Sequence, residues 1–404
     1  MTEAPLKGIH VLDFMWVMAG PAATQYLSQY GATLVRVESA SRIDTARTLQ
    51  PFKDGQSGPE RSGLYANLNY GKLNLALNVT NPAARPVLDR LVRWADVITE
   101  SFSPKGMASM AMDYEACKKL NPGVIMLSSC LNGHYGPEAQ LAGFGTMGAQ
   151  LAGFGELAGW PDRAPAGPFG AYTDYIAPKF TVVALLAALE YRRRTGKGQY
   201  IDLSQAEASQ QFLGPALLDY TVNGVVDSRA GNTSQEFAPH GVYPCRGEDD
   251  WVAIVCETED QFAALATATG NATWATDPRF ATHDGRLANR DTLDALLGEW
   301  TATRTRDEAE SLLIAAGVPA HRVSGASDLA TDPQLMHRGH FGKVSNAELG
   351  EVTVETSRMR LSRTPQVPLA STPTLGEHSQ EVLSGMLGFS EDEIVELVAA
   401  GAIE

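Results

Sequence analysis

Gly8-Ile-His-Val-Leu-Asp13, Ala19-Gly-Pro21 and Thr33-Leu-Val-Arg-Val-Glu38 read in order as a strand, the opening of a helix and a second strand. A strand, a helix and a strand within about thirty residues predict a parallel pair joined by a right-handed crossover. We expect the helix to run to about Tyr30. No Gly-x-Gly-x-x-Gly fingerprint accompanies this Rossmann-like start, so the sequence does not support a dinucleotide cofactor.

The same alternation continues along the first half of the chain. Strands are predicted at 73–79, 96–100 and 124–130, and helices at 82–94 and 114–120. Residues 40–66 are polar and rich in turn formers, and we expect a ligand loop there without regular elements. The pattern predicts an α/β fold with an open parallel sheet, whose ligands bind at the carboxyl ends of the strands. The loops after Asp13, Glu38, Glu100 and Cys130 are therefore candidate binding loops.

The length of 404 residues predicts two domains. After a helix predicted at 205–218, the polar, glycine-containing segment 223–235 is typical of a linker. Beyond it, a hairpin of strands at 241–245 and 251–256 precedes helices at 258–269, 289–300 and 306–316, which indicates a smaller α+β domain. Extended structure is expected at 330–355, and helices at 381–387 and 391–400.

Composition limits the classes of partner that the protein is expected to bind and indicates its cellular compartment. A net charge of −15 argues against a nucleic-acid binder or an anionic-membrane binder, because both need a basic surface. The chain shows neither a signal-peptide core near its beginning nor an apolar run of membrane-spanning length, and we expect a cytoplasmic protein. The four cysteines have no CxxC spacing and are interpreted as free thiols, and no metal-binding cluster is visible.

One carboxylate stands in an unusual place. Asp174 ends the glycine- and proline-rich stretch 166–173 and precedes the apolar run 180–189, part of a helix predicted from about Pro178 to Arg194 and expected to be buried all round. Burying an isolated carboxylate is costly, so its presence needs a reason. One alternative is a helix cap formed by Thr173 and Asp174. The other is a nucleophile held by the positive end of the helix.

A set of short motifs, in this order and spacing, resembles the class III CoA-transferases, the group that includes formyl-CoA:oxalate and carnitine CoA-transferases. The motifs are Gly8-Ile-His-Val-Leu-Asp-Phe14 with Ala19-Gly-Pro21, Asp113-Tyr-Glu115 with Leu120-Asn-Pro122, Asp174 followed by Leu186-Ala-Ala-Leu-Glu190 and Thr195-Gly-Lys-Gly-Gln199, Asp277-Pro-Arg-Phe280 with Asn289-Arg290, and Leu375-Gly-Glu-His378. The resemblance spans nearly the whole chain and implies that Asp174 is the nucleophile.

The resemblance also implies an architecture. The large Rossmann-like, CoA-binding domain would be built from both chain ends, 1–222 and a returning segment 330–404, with the linker 223–235 and the small α+β domain 236–329 between them. Two chains would form an interlocked dimer. A homodimer is expected, and a heteromer with a paralogue remains open.

The chemistry that the resemblance implies is transfer of CoA from an acyl-CoA to a carboxylic acid. Asp174 would attack the thioester to give a mixed anhydride and then an aspartyl-CoA thioester. Carried over by position, the expected CoA contacts are Val17, Met18, Ala19, Arg47, Leu77, Ser101, Phe102, Ser103, Lys105 and Phe144.

This chain departs from the formyl-CoA branch at several of its binding positions. Basic residues of that branch correspond here to Ser39, Thr80, Ser109 and Ala142, with Lys105 and Arg36 as nearby substitutes. A glutamine and a glutamate near the reacting centre correspond to Met18 and Gly145. Transfer between formate and oxalate is therefore not expected, and Trp16, Met18 and Phe144 predict an apolar pocket for a larger or aromatic acid.

Two further functions remain open at this point. A racemase of 2-methylacyl-CoA esters needs two acid/base groups, but the His-Asp pattern expected after the strand at 124–130 is missing. A non-catalytic CoA-binding subunit would explain the missing basic residues. His134 and His240 are each candidates for polarising a substrate carbonyl or for a structural hydrogen bond.

Overall fold

The computed structural model describes residues 3–404 and divides into two compact units. The large unit comprises the chain up to Gly155, Gly167–Asp227 and Met336–Glu404, and the small unit comprises Glu156–Ala166 and Ser228–Leu335. The division near residue 227 falls inside the segment predicted as a linker. Residues 156–166, which lie within the range predicted for the large domain, belong to the small unit.

The strands are β1 (His10–Phe14), β2 (Thr33–Glu38), β3 (Leu73–Ala76), β4 (Val97–Glu100), β5 (Ile125–Cys130), β6 (Tyr200–Ser204), β7 (His240–Pro244), β8 (Trp251–Val255), β9 (Ala320–Arg322), β10 (Phe341–Asn346) and β11 (Gly350–Glu355). The α-helices are α1 (Ala19–Gln29), α2 (Gly63–Asn69), α3 (Arg85–Trp94), α4 (Gly106–Ser109), α5 (Tyr114–Leu120), α6 (Gly145–Leu151), α7 (Phe154–Leu157), α8 (Tyr172–Thr195), α9 (Gln205–Gln210), α10 (Gly214–Asn223), α11 (Glu259–Ala268), α12 (His283–Ala288), α13 (Arg290–Thr301), α14 (Arg306–Ala315), α15 (Ala326–Thr331), α16 (Pro333–His337) and α17 (Glu391–Ala399). Short 3₁₀ turns occupy Thr45–Thr48, Lys53–Gly55, Pro82–Ala84, Gln211–Leu213 and Ala272–Thr276, and a π-helix occupies Glu381–Met386.

The large unit is organised around a six-stranded parallel sheet in the order β3-β2-β1-β4-β5-β6. The predicted open parallel sheet is confirmed. Its strand order reverses between β1 and β4, and an open α/β sheet binds its ligands in the crevice at such a point. The loops after β1 and β4, at residues 15–18 and 101–105, therefore flank the crevice where a ligand is expected.

Helices cover both faces of this sheet, which explains why its central strands are apolar on both sides. On one face, Leu12 of β1 packs in a cluster with Leu91 of α3 and Leu397 of α17. On the other face, Val11 packs with Leu27 of α1 and with Leu185 of α8. Helices α1 and α8 thus lie on the same face of the sheet.

The small unit has its own core and its own sheet. Strands β7, β8 and β9 form an antiparallel sheet in that order, so the predicted hairpin is confirmed. Phe262 of α11, Leu297 of α13 and Leu313 of α14 are fully buried in its core.

Several predicted elements differ from the structure for local reasons. The helix expected from 205 to 218 breaks into α9, a 3₁₀ turn and α10, because Pro215 has no N–H to donate to a carbonyl of the preceding turn and lies instead at the start of α10. Residues 40–66 contain two 3₁₀ turns and the start of α2, whose N-cap is Ser62. The segment 330–355 contains α16 as well as the β10–β11 hairpin.

The helix that carries Asp174 also differs from its prediction. α8 begins at Tyr172, and its N-cap is Ala171 without a side-chain hydrogen bond, so the capping alternative for Asp174 is wrong. Pro178 lies inside the helix. The expectation of burial all round is also wrong for the single chain, since Val183 and Leu186 are exposed.

Candidate active site

The loop after β1 holds a strained backbone. Val17 has a φ of +67°, which is unfavourable for a β-branched side chain and costs on the order of 1–3 kcal/mol. Two contacts hold it in place: the N–H of Val17 donates to Asp44 at 2.9 Å, and the N–H of Trp16 donates to Oγ of Ser101 at 3.0 Å. The second contact joins the loop after β1 to the loop after β4.

A buried ionic network supports this loop. Arg36 is fully buried and pairs with Asp44 and with Glu38, the latter at 3.0 Å. Arg47 pairs with Glu38 at 2.8 Å and with Glu60 at 2.6 Å. The guanidinium of Arg47 also lies 3.7 Å from the centre of the Tyr65 ring. Neither arginine is free to hold a phosphate, which corrects the CoA contact expected at Arg47 and the substitute role considered for Arg36.

The remaining expected CoA contacts separate into two groups. Val17 and Met18 lie on the first loop, and Ala19 begins α1. Ser101, Phe102, Ser103 and Lys105 lie on the second loop, with Ser103 and Lys105 exposed. Leu77, in contrast, is fully buried in the core, and Phe144 is 58% exposed. The side chain of Leu77 therefore cannot contact a ligand in the crevice.

Trp16 offers a direct test of whether a CoA ester fits between these loops. Its ring packs against Phe102 with a centroid distance of 5.7 Å. Its indole N–H is buried and has no hydrogen-bond acceptor among residues 3–404. An indole nitrogen only donates, so an amide or thioester carbonyl would satisfy it. The indole N–H of Trp16 is thus a donor whose acceptor a ligand would have to supply.

Asp174 lies in the first turn of α8 and is 7% exposed. Burial raises the pKa of its carboxyl to about 6, and a hydrogen bond from the backbone of Gly145 acts in the opposite direction. A β-carbon on Gly145 would come within 2.7 Å of the carboxyl carbon, and one on Gly148 within 2.7 Å of Oγ1 of Thr173. Because Gly145 and Gly148 carry no β-carbon, α6 can approach the start of α8 closely.

A cavity of about 120 Å³ opens beside Asp174 within the large unit. This volume is below the roughly 300 Å³ at which drug-sized ligand pockets begin, so it suits a small acid. Its lining residues are Met18, Ala22, Gln25, Tyr26, Gln29, Leu64, Asn67, Leu68, Asp174, Tyr175, Lys179, Glu355 and Arg358. Of the three residues expected to form an apolar acyl pocket, only Met18 is among them. Much of the lining surface is apolar, and Asp174, Lys179, Glu355 and Arg358 add charged groups to it.

Two cations share this cavity. Arg358 pairs with Glu355 at 2.7 Å. Lys179 donates to the backbone carbonyl of Tyr175, and no carboxylate lies within ion-pair distance of its ammonium group among residues 3–404. Burial, and then the charge of Arg358, lower the pKa of Lys179. Neither cation was predicted as a site residue, and Arg358, which follows β11, is brought to the cavity only by the fold.

The two candidate histidines lie in different units. His134 lies beside β5, with Nδ1 3.0 Å from the hydroxyl of Tyr200 and Nε2 3.5 Å from Glu100. Burial raises the pKa of the fully buried Glu100 carboxyl. His240 lies in the small unit, where Nδ1 is 2.8 Å from the carbonyl oxygen of Asn232.

No helix within residues 3–404 has the length and apolar character needed to cross a membrane. Across the same residues, no three or more His, Cys, Asp or Glu side chains are grouped closely enough to hold a metal ion.

Comparison with known proteins decides the family. The model of CoA-transferase family III matches residues 6–379. The chain belongs to CoA-transferase family III. The resemblance inferred from the motifs is thereby confirmed, and this family III chain is an enzyme that transfers CoA.

Family III relatives match the chain over nearly its whole length. It is 31% identical to a succinyl-CoA–D-citramalate CoA-transferase of Chloroflexus aurantiacus, over 99% of this chain and 98% of that protein. It is 30% identical to the alpha subunit of a succinyl-CoA–L-malate CoA-transferase of Chloroflexus aurantiacus, over 98% of this chain and 92% of that subunit. The crystal structure of a CAIB/BAIF family protein from Brucella suis matches with a TM-score of 0.87 at 32% identity, over 95% of this chain and 100% of that one.

Proposed function

We propose that this enzyme moves CoA from an acyl-CoA donor to a free carboxylic acid through covalent intermediates on Asp174. The observation that carries the proposal is the placement of Asp174, a buried carboxylate in the first helical turn that lines a small cavity. A structural carboxylate so placed would normally be paired. Residues 3–404 supply no cation within ion-pair distance of this one, which favours a functional role.

The transfer proceeds in four balanced steps. The carboxylate of Asp174 attacks the donor thioester and expels CoA thiolate, which leaves a mixed anhydride. The thiolate attacks the aspartyl carbonyl, so the donor acid leaves as a carboxylate and an aspartyl-CoA thioester forms. The acceptor carboxylate attacks this thioester and expels the thiolate again. The thiolate then attacks the acceptor's own carbonyl, which releases the new acyl-CoA and restores Asp174.

The surroundings of Asp174 suit each step. Since its pKa is about 6, most of the carboxyl is ionised at neutral pH and can attack. The N-terminal turn of α8 stabilises negative charge on the attacking group and on the oxyanions that form from it. The cavity is small, and keeping water out preserves the thioester from hydrolysis.

We propose that the acid is a dicarboxylate. The supporting observation is Lys179, whose ammonium group lines the Asp174 cavity without a carboxylate partner, next to Arg358. A carboxylate at the far end of a small acid would pair with this ammonium group. The two Chloroflexus relatives are named for succinyl-CoA, the ester of a dicarboxylic acid, which agrees with the charge of the cavity.

We further propose that CoA lies between the loops at 16–19 and 101–105, with Lys105 near its phosphates. The supporting observations are the unpaired indole N–H of Trp16 and the exposure of Lys105 on the loop after β4. The four free cysteines agree with a reducing compartment, and a cytoplasmic enzyme is proposed on that ground.

The assembly is proposed to be a dimer of identical chains, interlocked as in the family. Helix α10 has no buried residue, and it exposes Leu217, Leu218, Tyr220 and Val222. An apolar surface of this kind marks an interface. The subunit name of one relative makes a pair of different chains the alternative. Sedimentation of the purified chain at the mass of a single copy would contradict the homodimer.

The function is tested by isotope exchange. Enzyme is incubated with succinyl-CoA and a ¹⁴C-labelled carboxylic acid, and in a second reaction with a 2-methylacyl-CoA deuterated at the α-carbon. Transfer predicts label in the CoA ester of the first reaction, and Asp174→Ala abolishes it. Loss of deuterium in the second reaction without exchange in the first would indicate a racemase instead. Binding of succinyl-CoA without either reaction would indicate a non-catalytic subunit.

A further inference from the structure

The loop after β1 holds a backbone conformation that its own sequence does not favour. Among residues 3–404, the non-glycine residues with a positive φ are Val17, Asp54, Ala111 and Asp249, at +67°, +55°, +51° and +57°. Aspartate visits this region readily, but for a β-branched side chain it is a true outlier. Val17 is the β-branched residue of this set. Strain of this kind persists only where the surroundings impose it, and it concentrates at functional sites.

Side chains from three places around the sheet impose this conformation on the loop. The N–H of Met15 donates to Oδ1 of Asp13 at 3.0 Å. The next two N–H groups donate to Oγ of Ser101 and to Oδ1 of Asp44, at 3.0 Å and 2.9 Å. Asp13 belongs to β1, Ser101 follows β4 and Asp44 lies beyond β2. The loop is thus fixed by three acceptors, and Asp44 holds the strained residue itself.

The carboxylate of Asp44 is fully buried, and both of its oxygens are in use. Oδ1 accepts from the N–H of Val17 and from that of Ala46, each at 2.9 Å. Oδ2 accepts from the guanidinium of Arg36, which also donates to the carbonyl oxygen of Met15 at 2.6 Å. One carboxylate therefore ties the strained residue to a buried arginine, and that arginine is bonded to the same loop.

The strained residue separates two side chains of the candidate site. Trp16 precedes it and carries the buried indole N–H that has no acceptor among residues 3–404. Met18 follows it and lines the Asp174 cavity. If the φ of Val17 relaxed to a negative value, the chain on either side would change direction, and these two side chains would move apart from their present positions.

We infer that Asp44 is a positioning residue for CoA, because it holds Val17 in the strained conformation and thereby keeps the loop at 15–18 in the form that binds CoA. This inference rests on the proposed place of CoA between the loops at 16–19 and 101–105. Without the bond to Asp44, the strained form is less populated, and the apparent affinity for CoA falls by the same fraction.

Asp44→Asn tests the inference, because an amide cannot make both sets of contacts. Its single oxygen accepts either from the N–H of Val17 or from Arg36, and its NH₂ group then meets a donor on the other side. Arg36 keeps Glu38 as a partner at 3.0 Å, and the side chain keeps its volume, so we expect the variant to fold.

The measurement is calorimetric titration with free CoA, with thermal unfolding recorded for each variant. We expect Asp44→Asn to raise Kd about ten-fold. We also expect kcat at saturating succinyl-CoA to stay within about three-fold of wild type, because bound ligand draws the loop back into place. A purely structural role would instead reduce the number of binding sites and kcat and leave Kd unchanged, and that result would overturn the inference.

A double-mutant cycle assigns the effect to strain at Val17. Glycine adopts a positive φ without steric cost, so a loop that carries Val17→Gly depends less on Asp44. In that background we expect Asp44→Asn to raise Kd only about two-fold. The matched control is Ala111→Gly, which also replaces a residue of positive φ but lies after α4. With Ala111→Gly the loss should stay about ten-fold. Equal losses in all three backgrounds would overturn the assignment.

A further variant separates a failure of this inference from a failure of the proposed CoA site. Trp16→Phe removes the unpaired indole N–H, and if CoA lies against it, Kd for CoA should rise about three-fold to ten-fold. A rise with Trp16→Phe but none with Asp44→Asn would overturn the inference and leave the CoA site in place. No change with either variant would overturn both, because CoA would then lie elsewhere.

Discussion

A β-carbon on Gly145 would lie 2.7 Å from Cγ of Asp174, closer than real β-carbons approach any atom. The first turns of α6 and α8 therefore meet at a position where only hydrogen fits. This contact buries the Asp174 carboxyl and brings the backbone of Gly145 into hydrogen-bonding reach of it. Gly145 also stands where the formyl-CoA branch resembled by this chain has a glutamate, so the two sites must differ at the carboxyl itself.

Gly145→Ala should therefore impair activity without unfolding the protein. The added methyl group must displace the Asp174 side chain, and misplacing a reacting group by about 1 Å costs on the order of a hundred-fold in rate. The matched control is Gly385→Ala, because a β-carbon there meets no atom within 4 Å. The measurement is labelled-acid exchange together with thermal unfolding. Wild-type exchange in Gly145→Ala would show that the contact is not needed.

The pH dependence of transfer should reflect the raised pKa of Asp174. Only the carboxylate attacks a thioester, and its pKa is about 6 because burial disfavours the charge. We expect kcat/KM to be constant above about pH 7 and to fall ten-fold per pH unit below about pH 6. The exchange rate measured between pH 5 and 8 checks this. A rate that stays level down to pH 5 would indicate a carboxyl with an ordinary pKa.

The same shift predicts that Asp174 destabilises the folded protein at neutral pH. Because the folded-state pKa is raised, the ionised carboxyl opposes folding above pH 6, and this cost disappears as the pH falls below the unfolded value of 3.8. The difference corresponds to about 3 kcal/mol. Asp174→Asn should raise the free energy of unfolding by up to that amount at pH 8 and by little near pH 4. Urea titrations at both pH values measure it, and a loss of stability at pH 8 would contradict the assignment.

Substituting the two basic residues expected to contact CoA should have different effects, one on stability and the other on KM. Arg47 is buried between Glu38 and Glu60, so Arg47→Met removes one of the two arginines that pair with buried Glu38 and should cost about 1 to 3 kcal/mol of stability. Lys105 is exposed, so Lys105→Met should leave stability unchanged while raising KM for the CoA ester and weakening its salt dependence. Urea unfolding and KM at two salt concentrations separate the effects. A raised KM with full stability in Arg47→Met would restore its role as a CoA contact.

Much of this fold was predictable because its signals are local. The alternation of apolar strands and helices indicated the parallel sheet, and the apolar run after Asp174 indicated the helix behind it. The start of α8 was missed because residues 166–171 resemble a loop and Pro178 suggested an early helical position, whereas the helix begins at Tyr172. The exposed face of α8 was missed because apolar residues on a helix do not reveal whether a second chain covers them.

The polar residues of the cavity could not be predicted from sequence. On α1, Gln25 and Gln29 look like an ordinary polar face, and only the fold brings them to the lining of the Asp174 cavity. Arg358 follows β11 and reaches the cavity only through the fold.

The central claim is that Asp174 carries CoA during turnover, and mass spectrometry of trapped enzyme tests it most directly. The protein is mixed with succinyl-CoA, quenched with hydroxylamine and digested, and the peptide that contains Asp174 is weighed. An acyl-activated aspartate becomes a hydroxamate, so we expect that peptide to gain the mass of one hydroxamate substitution, and Asp174→Asn to show no change. An unmodified Asp174 peptide from enzyme that is exchanging label would contradict the account.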